Sequence, residues 1–147
     1  RQAFEAGNIE ASRRLAEGLL RENPESSAAL IVRGRVSMHA DSLDAAGAMF
    51  RRALPHANDD DIYDAQVNLG VLFMRQGKTD EGLAHFAEAN RVRPKEASAW
   101  LYRASALGQL GKVNEARLLL EQARGQVTDA TALESALRQL DTRGTHP

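Results

Sequence analysis

The chain has 147 residues, 43% of them apolar and 27% charged, with a net charge of −1 and no cysteine. These are the values of an ordinary globular domain able to bury a core, and they exclude disulfides, thiolate metal sites and cysteine nucleophiles. The near-zero charge gives no field for nucleic acid or an anionic membrane, and no apolar run approaches the ~20 residues needed to span a bilayer.

The sequence shows no signal peptide, but it begins at Arg1 without an initiator methionine and reads as cut from a longer protein, which would have removed any such segment. Residues 1–6 read as the tail of a helix, and Asn8 is expected to cap a second one to about residue 22, where Asn23 and Pro24 stop it. Ser26 or Ser27 starts the next at about Ala28. Ser42 is expected to cap a helix whose apolar face is Leu43, Ala46, Met49, Phe50 and Ala53, and Pro55 ends it. Asp59, Asp60 and Asp61 place negative charge at the start of a helix over 62–76, as the helix dipole favours. Gly77 closes that helix, and Thr79 opens its partner, which runs to about Val92 before Pro94. A third pair is predicted over 97–110 and 113–124, separated by Gly111 and ended by Gly125. Thr128 or Asp129 caps a last helix to about Leu140, with Leu133, Ala136, Leu137 and Leu140 on one face.

Three of these stretches superimpose column by column. Gly34, Ala46, Phe50 and Ala53 match Gly70, Gly82, Phe86 and Ala89, and then Ala104, Ala116, Leu120 and Ala123. The small residues are expected where paired helices cross closely, with Phe50, Phe86 and Leu120 filling the space beside the crossing. Each of these three contributes roughly 1.5 to 3 kcal/mol if fully buried. The last alanine of each set lets the next unit stack. A fainter half unit precedes them at Gly7, Asn8, Ile9, Leu15, Leu19 and Pro24.

The columns, with Trp100 at the head of the third unit and Leu69, Gly70, Phe73, Phe86, Ala89 and Pro94 in the second, resemble the tetratricopeptide repeat family. The resemblance implies an all-α, right-handed α-solenoid of antiparallel helix pairs, about three and a half repeats plus a C-terminal capping helix. It divides a single domain over residues 1–147 into a partial repeat at 1–24 and repeats at 27–58, 63–94 and 97–128. A capping helix at 129–141 and a tail at 142–147 complete it. A solitary amphipathic helix after the last unit is how such arrays seal an open end.

In the resembling family the concave surface, lined by the first helix of each pair, binds partners. On that stripe lie Ile31, Val32, Arg35, Met38 and His39, then Asp64, Val67, Asn68, Val71, Met74 and Arg75, then Ser98, Leu101, Tyr102, Ser105 and Gln109. The expected peptide-binding groove comprises Arg35, Met38, His39, Val67, Asn68, Val71, Arg75, Leu101, Tyr102 and Ser105. Asn68 is the sharpest candidate, since the resemblance implies an amide that donates to and accepts from an extended peptide backbone. Arg35 and Arg75 suit acidic groups. Met38 and Met74 offer an adaptable apolar floor, and Tyr102 a ring with a polar tip. The family's basic clamp for chaperone tails is mostly missing, because Ile31, Arg35, Ser98 and Tyr102 stand at its other positions and only Asn68 matches.

Catalysis is not expected. Asp59, Asp60, Asp61 and Asp64 lack the spacing and glycine of a calcium loop. His39, His56, His85 and His146 fall on different elements without the i, i+4 spacing of a helical zinc site. No cofactor or metal is expected, nor a nucleic-acid partner or membrane insertion by this segment. The function that follows is a non-catalytic protein–protein interaction scaffold binding a partner's peptide. Alternatives are self-association through an unsealed apolar end at Phe4, Ile9 and Leu15, the repeat arm of a larger enzyme such as a transferase, or a part of an envelope or pilus-assembly protein. The excess of arginine over lysine suits a GC-rich bacterial genome, and a soluble domain of this kind suits cytoplasm or periplasm equally.

Overall fold

Helix-favouring alanine and leucine, punctuated by proline and left-handed turns, give eight α-helices and no strand among the described residues. The computed structural model describes the backbone of residues 2–144 and the side chains of residues 7–142. Phe4 and His146, named above, lie outside the residues whose side chains are described. The helices are α1 (Gln2–Glu22), α2 (Ser27–His39), α3 (Leu43–Ala53), α4 (Asp59–Arg75), α5 (Thr79–Val92), α6 (Ala97–Gln109), α7 (Val113–Arg124) and α8 (Thr131–Gly144). A short 3-10 turn at Leu54–His56 follows α3, where Pro55 cannot continue the α-helical ladder. The chain forms two compact units, residues 1–72 and 73–147.

In the first unit α1 packs on α2, and α2 on α3. The contact is close because Gly34 has no side chain. A Cβ built there would lie 2.5 Å from Phe50 Cε1 and 2.9 Å from its Cδ1 and Cζ. Phe50 is fully buried with Leu30, Ala46, Ala53 and Leu69. The Ser27 hydroxyl, also buried, donates to the Ala53 carbonyl at 2.9 Å and ties the start of α2 to the end of α3.

In the second unit α5 packs on α6, α6 on α7, and α8 on both α6 and α7. Trp100, Ala104, Ala116, Leu119, Leu120, Ala123, Leu133 and Leu137 form one continuous core. Trp100 keeps its indole satisfied by donating from Nε1 to the Pro94 carbonyl at 2.9 Å. Phe86 and Ala89, columns of the middle repeat, are also fully buried.

All three inner turns share one geometry. Asp41, Gly77 and Gly111 adopt left-handed φ values of 60°, 77° and 77°. Their N–H groups donate to the carbonyls of Met38, Met74 and Gly108, each at 3.0 Å. The next residues, Ser42, Lys78 and Lys112, donate to Ser37, Phe73 and Leu107, each at 2.8 Å. This is the Schellman pattern that satisfies the last helical carbonyls.

Several local expectations are corrected. Residues 1–6 and 8–22 are not two helices, because α1 runs unbroken through Gly7 and Asn8. A glycine inside a helix costs only about 1 kcal/mol relative to alanine, too little to break a helix that packs elsewhere. Ser42 occupies the N-cap of α3 but forms no side-chain cap bond, whereas Ser26 caps α2 by accepting from the Ala29 N–H at 3.3 Å. Helix α4 starts at Asp59 rather than 62, since Asn58 Oδ1 accepts the Asp61 N–H at 2.9 Å. Helix α8 begins at Thr131, after Asp129 Oδ1 accepts the Thr131 N–H at 3.0 Å, and continues past Leu140 to Gly144.

Candidate functional site

The expected site residues fall on the first helices of the pairs, and the two units present them separately. In the first unit, Arg35 and His39 are exposed on α2. Together with Val32 and Val36 they face Asn8, Ile9 and Ser12 of α1 across a cleft of about 310 Å³. Their spacing, Val32 to Val36 and Arg35 to His39, places them on adjoining stripes of one helix. Met38, expected on the floor of the groove, is instead only 8% exposed and belongs to the core.

Helix α4 carries Val67, Asn68 and Val71, all half-buried. Asn68 donates from Nδ2 to the Asp64 carbonyl at 2.7 Å, one helical turn back. An amide has two N–H donors and an acceptor oxygen, so this bond uses part of its capacity and steadies its orientation. Asp64, on the same stripe but not among the expected site residues, is held above the ordinary aspartate range. Partial burial is the main cause; the Arg35 guanidinium opposes the shift and the Asp61 carboxylate adds to it. Arg35 and Asp64 are therefore electrostatic neighbours, although they lie on different helices.

In the second unit, Arg75 is exposed in the last turn of α4. Leu101 and Ser105 line a cleft of about 370 Å³ with Ala104 and Gly108 of α6, Leu120 of α7, and Ala136 and Leu140 of α8. Tyr102 is 41% exposed, yet its ring stacks on buried Phe86 with centroids 5.2 Å apart and planes 10° from parallel. Its exposed edge is thus fixed in place. Phe73 and His85 stack similarly at 5.1 Å and 4°, which places His85 in packing.

Among the described residues no group of three His, Asp or Glu side chains could hold a metal ion. No helix among them is long and apolar enough to cross a membrane.

The tetratricopeptide repeat family matches residues 1–62 and 67–140. The chain belongs to this family. Among solved structures, this tetratricopeptide repeat chain is similar to two described as crystal structures of MamA, each at 18% identity with a TM-score of 0.71 over 84% of this chain. It spans 66% of the length of one and 71% of the other. At that identity the likeness is one of fold. No curated protein matches the sequence. Membership of the family supports a protein-interaction scaffold in general, and the tetratricopeptide fold is generally a non-catalytic module.

Proposed function

We propose that the chain binds a peptide segment of a partner protein along the first helices of its pairs, without chemistry. It does so as a single tetratricopeptide array with a partial repeat at 1–24, repeats at 27–58, 63–94 and 97–128, and a capping helix. The observation that carries this reading is Asn68. Its amide is anchored by one bond to the Asp64 carbonyl and flanked on α4 by half-buried Val67 and Val71. A peptide backbone needs one donor and one acceptor in such surroundings, and an amide supplies both. Arg35 and His39 suit an acidic side chain at the cleft beside α1, and Arg75 suits another. Leu101, Tyr102 and Ser105 supply apolar and hydroxyl contact on α6, while buried Met38 shapes the surface from beneath.

The test is Asn68→Ala, assayed by calorimetric titration with a partner segment captured by the chain. Affinity is expected to fall while folding stability changes by less than about 1 kcal/mol, as for a surface site. Unchanged affinity would remove Asn68 from the site.

Self-association is a second reading, favoured by Leu15 and Leu19, which are 65% and 42% exposed at i, i+4 spacing on α1. Sedimentation that stays monomeric at high concentration would count against it.

A further inference from the structure

Arg103 projects from α6 where none of the expected site residues lies. On a helix, residues two apart point to nearly opposite sides, whereas residues four apart share a stripe. Leu101 and Ser105 thus line the cleft shared with α8, while Arg103 and Leu107 line a different one, of about 430 Å³, bounded by α5 and α7.

The guanidinium of Arg103 is fixed from two sides. It lies 5.3 Å from the centroid of the Trp100 ring, and its Nη1 donates to Asn90 Oδ1 at 3.0 Å. Asn90 is only 4% exposed, and its Nδ2 is buried without a hydrogen-bond partner. Arginine has no acceptor, so the amide must turn its oxygen to Arg103 and leave its own donor unsatisfied. The fold thus tolerates an unfavourable buried donor and still holds this cation in place.

The cation lacks a counter-charge. Among the described residues its side-chain hydrogen-bond acceptor is the neutral Asn90 amide, and no carboxylate pairs with it. Burial disfavours its charged form with no opposing interaction to offset the shift. Around it, Leu83, Ala87 and Leu107 make an aliphatic wall that continues to Leu118, which is 57% exposed. Glu115 lines the same cleft without pairing with Arg103; its charge opposes a densely anionic ligand such as nucleic acid and restricts a bound segment to a single carboxylate, placed at Arg103.

We propose that this cleft of the second unit is a separate docking site for an amphipathic segment of a partner protein. A single carboxylate of that segment pairs with Arg103, and an adjacent aliphatic side chain covers Leu118. A planar guanidinium held by Trp100 and Asn90 is oriented in advance for a carboxylate, so little freedom is lost on pairing.

The experiment is an amide chemical-shift titration of the isotope-labelled chain with a synthetic nonapeptide carrying one glutamate flanked by leucines. A matched peptide carries glutamine instead. Shifts are expected at Leu83, Arg103 and Leu118, with the glutamine peptide weaker by about tenfold, the loss of one charge-assisted bond. Arg103→Gln should abolish the preference for glutamate. Leu118→Ser, at an exposed position that leaves the core intact, should weaken the glutamate peptide by roughly fivefold with unchanged circular dichroism; it decides the matter should Arg103→Gln unfold. Equal binding of the two peptides, or no shift at about 1 mM peptide, would overturn the proposal. Shifts confined to Leu101 and Tyr102 would also overturn it, while favouring binding on the first-helix stripe.

Discussion

A β-carbon added at Gly34 would strike the Phe50 ring, whereas one added at Gly7 would meet nothing within 4 Å. Gly34→Ala is therefore expected to lose about 1 to 3 kcal/mol through overpacking. Gly7→Ala, on the exposed side of α1, is expected to gain up to about 1 kcal/mol from helix propensity. Urea denaturation of the two variants measures both, and equal effects would contradict the packing argument. Asp64 supplies a second test at this scale. Burial raises its carboxyl and Arg35 lowers it, so Arg35→Gln should move the titration further upward, read by carboxyl carbon NMR. A carboxyl raised in the fold destabilises when ionised, so its contribution becomes more favourable as pH falls through its folded value. Gly34 was legible from its column in the repeat. Asp64 was not, because its shift arises mainly from burial, which depends on how the helices pack.

The helix pairs owe their turns to left-handed residues, and glycine suits that conformation because it has no β-carbon to clash. Gly77→Ala is expected to cost about 1 to 2 kcal/mol at φ 77°, although the space around it is open. Thermal unfolding should show it, and an unchanged midpoint would argue that the turn can be rebuilt. Gly77 and Gly111 announce this turn in the sequence. Asp41, which adopts φ 60° at the same point of the first pair, does not, because aspartate enters the left-handed region only at some positions. Element boundaries depended on similar local competition. Asn58 captured an N–H and drew α4 back to Asp59, while Gly7 and Asn8 lost to helix continuity in α1.

Each unit carries its own buried residues, with Phe50 and Leu30 in the first and Leu120 and Leu133 in the second. Leu133 and Leu137 join α8 to the core of the second unit, and Leu133 is the more deeply buried of the two. Leu133→Ala should destabilise by about 2 to 5 kcal/mol, with hydrogen exchange in α8 rising more than in α6. Uniform exchange through the second unit would show instead that α8 does not open separately. The sequence by itself determined the architecture. Glycine, alanine and aromatic columns recur at fixed spacing, and helix periodicity translates that spacing into packing positions without long-range information. It also placed Asn68, Tyr102 and Arg35 on first helices. Only the tertiary structure decided that Met38 is core, that Tyr102 is held on Phe86, and that Arg103 is fixed by Asn90 and Trp100 without a carboxylate. Burial and charge pairing depend on which helices meet, and that depends on residues far apart in the chain.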